Sequence, residues 1–294
     1  MIVAVASGKG GTGKTTVAAA LAKVWPHPPT AVDLDVEEPN LHLFLKPQIV
    51  ARKRATIQIP EIDKSRCTYC GACSELCQFK AIAVMGEVAL TFPEMCHGCG
   101  GCFRVCPENA LYPATRELGE VSWGSAGAIE FLMGRLRVGE AMSPPLMRAV
   151  KNQLDELTGD RPRDVIIDAP PGVSCPAVNA VMDSDVIVLV TEPTPFGLYD
   201  LNLACEAFAP MGKPMGIVVN RAGLGDNALY DYCRDNKIDI LAEIPYSRAI
   251  AEAYSRGSII SETSDTHRRL FQKLAQRLRQ MAPATAIIVE AQNG

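Results

Sequence analysis

The stretch Ser7-Gly8-Lys9-Gly10-Gly11-Thr12-Gly13-Lys14-Thr15-Thr16 follows an apolar run that predicts a buried strand and precedes a run that predicts a helix. Gly8, Gly13, Lys14 and Thr15 fit the pattern G-x-x-x-x-G-K-[ST] in the strand–loop–helix context that this phosphate-binding loop requires. Glycines let backbone N–H groups approach phosphate oxygens, and the helix N-terminus adds partial positive charge. We therefore predict a nucleotide site here, with Lys14 on the β/γ-phosphates and the Thr15 hydroxyl on Mg²⁺.

The position of Lys9 indicates which class of nucleotide-binding loop this is. With Lys9 directly after Gly8, the loop resembles the deviant Walker A loop of the MinD/ParA/Mrp superfamily of dimerising P-loop ATPases. The resemblance implies that the loop binds ATP and ADP and that Lys9 and Lys14 take part in hydrolysis. It also implies that Lys9 reaches the nucleotide of the facing subunit, in a homodimer or in a heterodimer with a related ATPase.

Acidic residues end two of the predicted strands. Asp33 and Asp35 close the second strand of the chain, and Asp168 closes a later apolar strand in a Walker B pattern. Ligands of parallel sheets lie at the carboxyl ends of the strands, so we expect Asp168 to hold the Mg²⁺ shell. The resemblance implies that Asp35 positions or activates the attacking water beside the Mg²⁺ ion. It also implies that residues 36–40 form switch I and residues 169–172 form switch II.

Two further pairs are expected to line the nucleotide pocket. Asn220 and Arg221 follow another predicted strand, and the pair is similar to the base-contacting N-[KR] pair of the family. The Asn220 amide offers a donor and an acceptor to adenine. Pro245 and Tyr246 come after the last predicted strand, at residues 238–244, and are expected in the same pocket.

Eight of the eleven cysteines form two runs with the spacing C-x₂-C-x₂-C-x₃-C. This is the spacing of bacterial two-cluster ferredoxins, in which the fourth cysteine of each run ligates the other cluster. One [4Fe–4S] cluster is therefore predicted on Cys67, Cys70, Cys73 and Cys106, and a second on Cys96, Cys99, Cys102 and Cys77. Zinc also accepts C-x-x-C pairs and is the alternative metal, but two complete runs favour iron–sulfur clusters.

One residue departs from the ferredoxin pattern, because Gln78 stands where proline usually follows the fourth cysteine. Cys106-Pro107 keeps the proline. A looser turn or altered solvent access is expected at Cys77. His97 lies between a predicted ligand and a glycine, and we interpret it as a surface histidine near the cluster rather than as a residue that tunes it.

The whole chain resembles MinD-superfamily ATPases with an inserted ferredoxin domain. Strands alternate with helices, so the fold class is α/β, a doubly wound and mostly parallel sheet, with a ferredoxin-like α+β insert. The predicted division is a first ATPase part at residues 1–60, the insert at residues 61–113 and a second ATPase part at residues 114–294.

Composition restricts the partners. The net charge is −4 and aromatic residues make up 6% of the 294 residues, which excludes a large basic face or a base-stacking platform for nucleic acid. No apolar run reaches the 18 residues of a membrane span, and we expect a cytoplasmic protein. Clustered cysteines in a reducing compartment point to metal rather than disulfides.

The last helical segment allows two interpretations. It carries an apolar stripe of Leu270, Phe271, Leu274, Leu278 and Met281 opposite a basic face. MinD proteins have a membrane-binding amphipathic helix near this position. A doubly wound domain also needs a closing helix, and we favour packing against the sheet.

Three functions fit these motifs. The first is an ATPase coupled to electron transfer with a redox protein partner, because the insert lies between switch I and switch II. The second is a cluster carrier or assembly ATPase of the Mrp type. The third is a MinD-like positioning ATPase with structural or redox-sensing clusters.

Overall fold

The structure is a computed structural model of the chain, and residues 1–159 and 163–282 are described. Its strands in those residues are β1 (Ile2–Ala6), β2 (Thr30–Asp33), β3 (Gln48–Ile62), β4 (Ile82–Met85), β5 (Val88–Thr91), β6 (Leu111–Ala126), β7 (Ile129–Leu136), β8 (Val165–Asp168), β9 (Val186–Thr191), β10 (Met215–Ala222) and β11 (Asp239–Pro245). Its helices are α1 (Lys14–Val24), α2 (Leu41–Leu45), α3 (Ala72–Leu76), α4 (Gly101–Val105), α5 (Ser143–Thr158), α6 (Cys175–Val181), α7 (Pro195–Phe208), α8 (Ala228–Asp235), α9 (Arg248–Ser255), α10 (Ile260–Thr263) and α11 (Asp265–Met281).

Nine strands form one sheet in the order β11-β10-β9-β1-β8-β2-β7-β6-β3. The first seven in this order run parallel, and β6 and β3 are antiparallel additions at one edge. The prediction of a mostly parallel sheet is thus confirmed. β1 lies at the centre with β8 and β9 on its two sides, so the loop after β1 emerges at the middle of the carboxyl edge, where ligands bind.

The second strand is shorter than predicted. It ends at Asp33 and not at Asp35, because the Asp35 N–H turns back to the Asp33 carboxylate at 3.1 Å. After the strand, the N–H of Leu34 still donates to the carbonyl of Asp168 on the neighbouring strand β8, at 2.9 Å. Asp35 therefore belongs to the loop that follows the strand, where its side chain is free to face a ligand.

Helices cover both faces of the sheet. Alternate residues of β1 point to opposite sides, with Val3 and Val5 in the core beneath α1 and α11 and with Ala4 and Ala6 in the core beneath α5, α6 and α7. On α11, Phe271, Leu274 and Leu278 are fully buried and pack in the first of these cores. The predicted packing of this helix as the closing layer is confirmed. None of the helices in the described ranges is long and apolar enough to cross a membrane.

A long antiparallel arm extends from the edge of the sheet. β3 and β6 pair from Gln48 opposite Ser125 to Ile62 opposite Leu111. The chain between them, residues 63–110, contains α3, α4 and the β4–β5 hairpin. We call residues 63–110 the insert. The predicted bounds of 61 and 113 fall on the last pairs of the arm, so the arm joins the insert to the sheet without a linker.

Candidate functional site

A cavity of about 440 Å³ opens at the carboxyl edge of the parallel strands. It brings together most of the residues that the sequence predicts for nucleotide binding. These are Gly10, Gly11, Gly13, Lys14, Thr15, Thr16, Asp35, Asn220, Arg221, Pro245 and Tyr246. They come from four separate parts of the chain, and parallel pairing of the intervening strands places them around one opening.

The loop after β1 has the backbone geometry of an anion-binding loop. Gly11 has φ +80° and Gly13 has φ +97°, backbone conformations that residues with a side chain rarely adopt. Gly13 is also the N-cap of α1. Asn220 fixes this loop from the side, because its amide nitrogen donates to the Thr12 carbonyl at 2.8 Å. Asn220 therefore contacts the loop as well as the cavity, a supporting role that the sequence did not indicate.

Charged groups are buried behind the loop. Lys14 is 7% exposed and Asp168 is 1% exposed. Burial raises the pKa of Asp168 to about 7, although the Thr15 hydroxyl bond and the Lys14 charge oppose this shift. Burial also lowers the pKa of Lys14, against the attraction of Asp168. Within the described residues, Oδ1 of Asp168 is buried without a hydrogen-bond partner.

This arrangement fits a magnesium ion. The unpartnered oxygen of Asp168 and the hydroxyl of Thr15 are oxygen ligands of the kind that Mg²⁺ prefers, and Thr15 lines the cavity although Asp168 does not. The ion would lower the cost of holding the Asp168 charge in a buried position. Asp168 and Thr15 are the residues that would hold it, and Asp35 lines the same cavity as Thr15.

Asp33 and Asp35 have different roles in the loop after β2. Asp33 is fully buried and accepts from the N–H groups of Asp35 and Leu41, at 3.1 and 2.9 Å, so that it shapes residues 36–40. Burial and the nearby Asp168 charge raise the pKa of Asp33 well above its usual value. Asp35 lines the cavity, and burial raises its pKa to about 6.

Three loop residues that the sequence predicts for nucleotide binding, Gly8, Lys9 and Thr12, do not line the cavity. Gly8 packs directly on α7, where a Cβ atom would overlap the carbonyl oxygen of Asp200. The ammonium group of Lys9 lies 4.0 Å from the Asp200 carboxylate, with its side chain one third exposed. Lys9 does not line the cavity of its own chain, whereas Lys14 does.

Arg221 lines the cavity, but its side chain is paired with an acidic residue. Its backbone has φ +55°, and its guanidinium pairs with Glu192 at 3.1 Å. The neighbouring Asn220 side chain accepts the Arg221 N–H at 2.9 Å. These contacts fix the end of β10 at the cavity wall.

The far wall of the cavity was missed by the sequence analysis. It is formed by Ser247, Ile250, Ala251 and Tyr254, at the start of and along α9. Ser247 is the N-cap of this helix and follows β11 at the carboxyl edge of the sheet. That position, a capping residue directly after a parallel strand, is the signal that could have identified α9 as a pocket element.

The eight patterned cysteines line two cavities in the insert. A narrow cavity is bordered by Cys67, Cys70, Cys73 and Cys106. A wider one is bordered by Cys77, Cys96, Cys99 and Cys102, and Cys73 lies between the two. We call them the first and second cysteine cavities. Every cysteine is a free thiol. Among the described residues no group of three or more potential ligands converges tightly enough to hold a single metal ion.

The two halves of the insert repeat with an offset of 29 residues, as the numbering shows. Gly71 and Gly100 have φ +82° and +71° and begin the matching helices α3 and α4. The fourth cysteines also match, since the N–H of Ala81 points to Cys77 Sγ at 3.3 Å and that of Ala110 to Cys106 Sγ at 3.2 Å. N–H groups directed at sulfur stabilise thiolate ligands, so these residues fit a pair of iron–sulfur clusters.

The departure at Gln78 leaves the backbone unchanged. Cys77 has φ −70° and ψ 100°, and Cys106, followed by the proline, has φ −75° and ψ 110°. The expectation of a looser turn at Cys77 is therefore wrong, and the alternative, altered solvent access at Cys77, stays a prediction. The exposed ring of His97 stacks on Phe79, with ring centroids 3.5 Å apart, and both residues border the second cysteine cavity. The interpretation of His97 as a surface residue near this site is confirmed.

The phosphate-loop geometry and the parallel sheet define a P-loop nucleotide-binding fold. Residues 3–260 match the family of the CobQ/CobB/MinD/ParA nucleotide binding domain, and the chain belongs to this family. It is 31% identical over 281 residues to the uncharacterized protein MJ0578 of Methanocaldococcus jannaschii, covering 94% of this chain and 97% of that protein. A solved structure with the same fold is the septum site-determining protein MinD of Pyrococcus horikoshii in complex with Mg-ADP. It has a TM-score of 0.56 and 19% identity and covers 99% of this chain and 98% of that one.

A shorter match concerns ferredoxins. The chain is 45% identical over 38 residues to the polyferredoxin protein FwdG of Methanocaldococcus jannaschii, which is 13% of this chain and 38% of that protein. The match is local, and the name of the matched protein describes it as a polyferredoxin.

Proposed function

We propose that this protein is a dimerising, Mg²⁺-dependent ATPase whose nucleotide cycle is coupled to a ferredoxin-like insert with two [4Fe–4S] clusters. The observation that carries the proposal is that the sequence spacing and the structure group the cysteines in the same way. The four cysteines that ferredoxin spacing assigns to each cluster border one cysteine cavity, and Cys73 borders the second cavity as well. The arm that holds these cavities is continuous with the nucleotide-binding sheet.

The residues at the nucleotide cavity have complementary chemistry for phosphoryl transfer. Lys14 and the N–H groups at the start of α1 would bind the phosphates, and Mg²⁺ would neutralise charge that develops on them. Asp35, which lines the cavity, would orient the attacking water. Lys9, which contacts Asp200 and does not line the cavity of its own chain, would complete the site of a facing subunit.

The cysteine cavities support one-electron chemistry, which is what bound [4Fe–4S] clusters supply. Their ligands lie near the surface, since Cys70 and Cys99 are exposed. A redox protein could therefore approach both cavities closely. We propose that such a protein is the partner of the insert.

The exposure of Cys70 and Cys99 also favours a second candidate, a cluster carrier or assembly ATPase. Exposed ligands allow another protein to take over a cluster by ligand exchange. The two candidates differ in one property: a carrier loses its clusters to an apo-acceptor, whereas an electron-transfer protein keeps them through repeated turnovers.

The test is chemical analysis and hydrolysis on anaerobically prepared full-length protein. The ligand count predicts about eight iron and eight sulfide per chain and spectra of reduced cubanes. ATP hydrolysis should require Mg²⁺ and should be lost in Lys14→Ala, with the iron content unchanged. Zinc in place of iron, or an unchanged hydrolysis rate in Lys14→Ala, would overturn the proposal.

A further inference from the structure

Four charged side chains connect the insert to the sheet. Arg116 on β6 donates through one nitrogen, Nη1, to Glu94 at 3.1 Å and also to Glu140. Arg137 contacts the same two carboxylates, at 3.0 and 3.4 Å. Glu94 belongs to the insert, and Glu140 precedes α5 in the ATPase part of the chain. We call these four residues the clasp.

On the insert side, the clasp acts on the second cysteine cavity. Glu94 is the middle residue of the short helical turn Pro93–Met95, directly before Cys96. The N–H of Cys96 donates to the Pro93 carbonyl at 3.1 Å, which closes that turn. The Glu94 carboxylate, whose side chain is 68% exposed, is therefore attached to the turn that leads directly into Cys96, a predicted ligand at the second cavity.

On the other side, the clasp reaches the loop after β2. The Glu140 carboxylate accepts the N–H of Met142 at 3.1 Å, and the hydroxyl of the next residue, Ser143, donates to Glu37. Asp35, two residues before Glu37, and Glu38, directly after it, line the nucleotide cavity. The loop after β2 therefore lines the nucleotide cavity with Asp35 and Glu38, and it contacts Ser143, near the clasp, with Glu37.

The clasp has the properties of an element with two arrangements. The side chains of Arg116 and Glu140 are 7% and 2% exposed, so that their charges interact in a region with little water. Nη1 of Arg116 is shared by two carboxylates, while Nε and Nη2 are buried with no hydrogen-bond partner in residues 1–159 and 163–282. A guanidinium with unused donors can exchange partners when one carboxylate moves.

The first cysteine cavity is anchored differently. The N–H of Cys67 donates to the Asp63 carbonyl at 3.1 Å, and Arg66 donates to the Glu108 carbonyl at 2.8 Å. These partners all lie within the insert, in contrast to the partners of Glu94.

We propose that the clasp transmits the nucleotide state from residues 36–40 to the turn before Cys96, and that it acts on the second cysteine cavity and not on the first. This inference rests on the proposed function. It adds that the coupling is asymmetric and passes through Arg116 and Glu94. A chain of contacts transmits a signal only if a change at one end alters the other end. The test therefore changes the nucleotide and measures the turn before Cys96.

The experiment is amide hydrogen exchange on the anaerobic full-length protein, without nucleotide, with Mg-ADP, and with a non-hydrolysable ATP analogue. For the wild type, exchange rates in residues 93–103 should change about fivefold or more between nucleotide states, at the low end of typical coupling. Residues 63–73 should change less than about twofold, well below that range. An equal response in both segments would contradict the asymmetry.

The variant is Glu94→Gln, which keeps the shape of an exposed side chain and leaves the pair of Arg116 with Glu140 in place. It should lower the nucleotide response of residues 93–103 to less than about twofold. Glu94→Asp should retain part of it. The matched control is Glu87→Gln, the same charge change on an exposed residue in the β4–β5 turn, which should respond as the wild type does.

Failure of the clasp and failure of the proposed function give different results. Iron content, nucleotide binding and hydrolysis are measured on the same preparations. If these are present and residues 93–103 respond equally in the wild type and in Glu94→Gln, the clasp is refuted and the proposed function stands. If iron is absent or hydrolysis fails while the exchange pattern follows the clasp, the proposed function is refuted instead.

Discussion

Replacement of Asp168 by asparagine should stabilise the nucleotide-free protein above neutral pH. Asp168 is 1% exposed and one of its oxygens has no partner in the described residues, so its negative charge is costly to bury. Asparagine has nearly the same shape and carries no charge. The variant should also bind Mg²⁺ and nucleotide more weakly, so stability and ligand binding change in opposite directions.

The magnitude follows from the pKa of Asp168. Burial raises it from 3.8 to about 7. A carboxyl with a raised pKa stabilises the fold fully below the pKa of the unfolded chain, and this stabilisation is lost as the pH rises to the folded pKa. At about 1.4 kcal/mol per pKa unit, the total is about 4 kcal/mol, and more than half of it falls between pH 5 and pH 8.

The assay is urea denaturation at pH 5 and at pH 8, under anaerobic conditions and without nucleotide. Both tryptophans, Trp25 and Trp123, lie in or beside the nine-stranded sheet, so their fluorescence reports the ATPase part of the chain. With a slope of about 2.5 kcal/mol/M, the variant should gain about 1 M in midpoint relative to the wild type between the two pH values.

The control is Asp239→Asn, which makes the same charge change at an exposed position at the start of β11. Its midpoint should follow that of the wild type at both pH values. Parallel pH profiles for the wild type and Asp168→Asn, or a less stable variant at pH 8, would refute the reasoning about the buried carboxylate.

Other substitutions separate the roles of the remaining site residues. Lys14→Ala should abolish nucleotide binding in equilibrium dialysis, because the phosphates lose their main cationic partner, and a variant that binds normally would contradict this role. Lys9→Ala should keep nucleotide binding but lose ATP-dependent dimerisation in light scattering, and normal hydrolysis by it would exclude the deviant-loop interpretation. Asp35→Ala should form the ATP-bound dimer and hydrolyse at least about 100-fold more slowly, the lower range for a general base. Gly8→Ala should weaken nucleotide binding, since the loop must move away from α7 to accommodate a Cβ atom. Cys67→Ser should remove about half of the iron and leave one set of cubane spectra, and loss of all iron would contradict two separate ligand sets.

The parts of the fold that depend on local patterns were predictable from the sequence. The strand–loop–helix context of Lys14 and the apolar strand before Asp168 are encoded within a few residues of each motif. The cysteine groups were predictable for the same reason, because a spacing that repeats with a fixed offset defines which thiols can meet.

The arm was not predictable in the same way. Residues 49–62 alternate apolar and basic side chains, but β3 and β6 have 15 and 16 residues, much longer than an ordinary strand. Their pairing is decided by contacts between residues far apart in the chain. The extent of the arm, and therefore the attachment of the insert, follows from tertiary pairing.

The clasp and the far wall of the nucleotide cavity were hidden for a related reason. Arg116 is 22 residues from Glu94 and 24 residues from Glu140, and no motif joins them. Each looks like an ordinary surface charge in the sequence. Tyr254 is one of the side chains on a helix of eight residues, which is too short for its apolar face to be assigned to a pocket without the fold.

The central claim is that nucleotide state and cluster state are energetically coupled, and a redox titration tests it directly. The reduction potentials of the clusters are measured without nucleotide, with Mg-ADP, and with ATP held by the Asp35→Ala variant. If ATP binds the oxidised and reduced forms with different affinity, linkage requires the potentials to shift by the same free energy. A coupling of about 1–3 kcal/mol corresponds to a shift of roughly 40–130 mV for a one-electron couple, and the shift should disappear in Lys14→Ala. Identical potentials in all three nucleotide states would contradict the coupling.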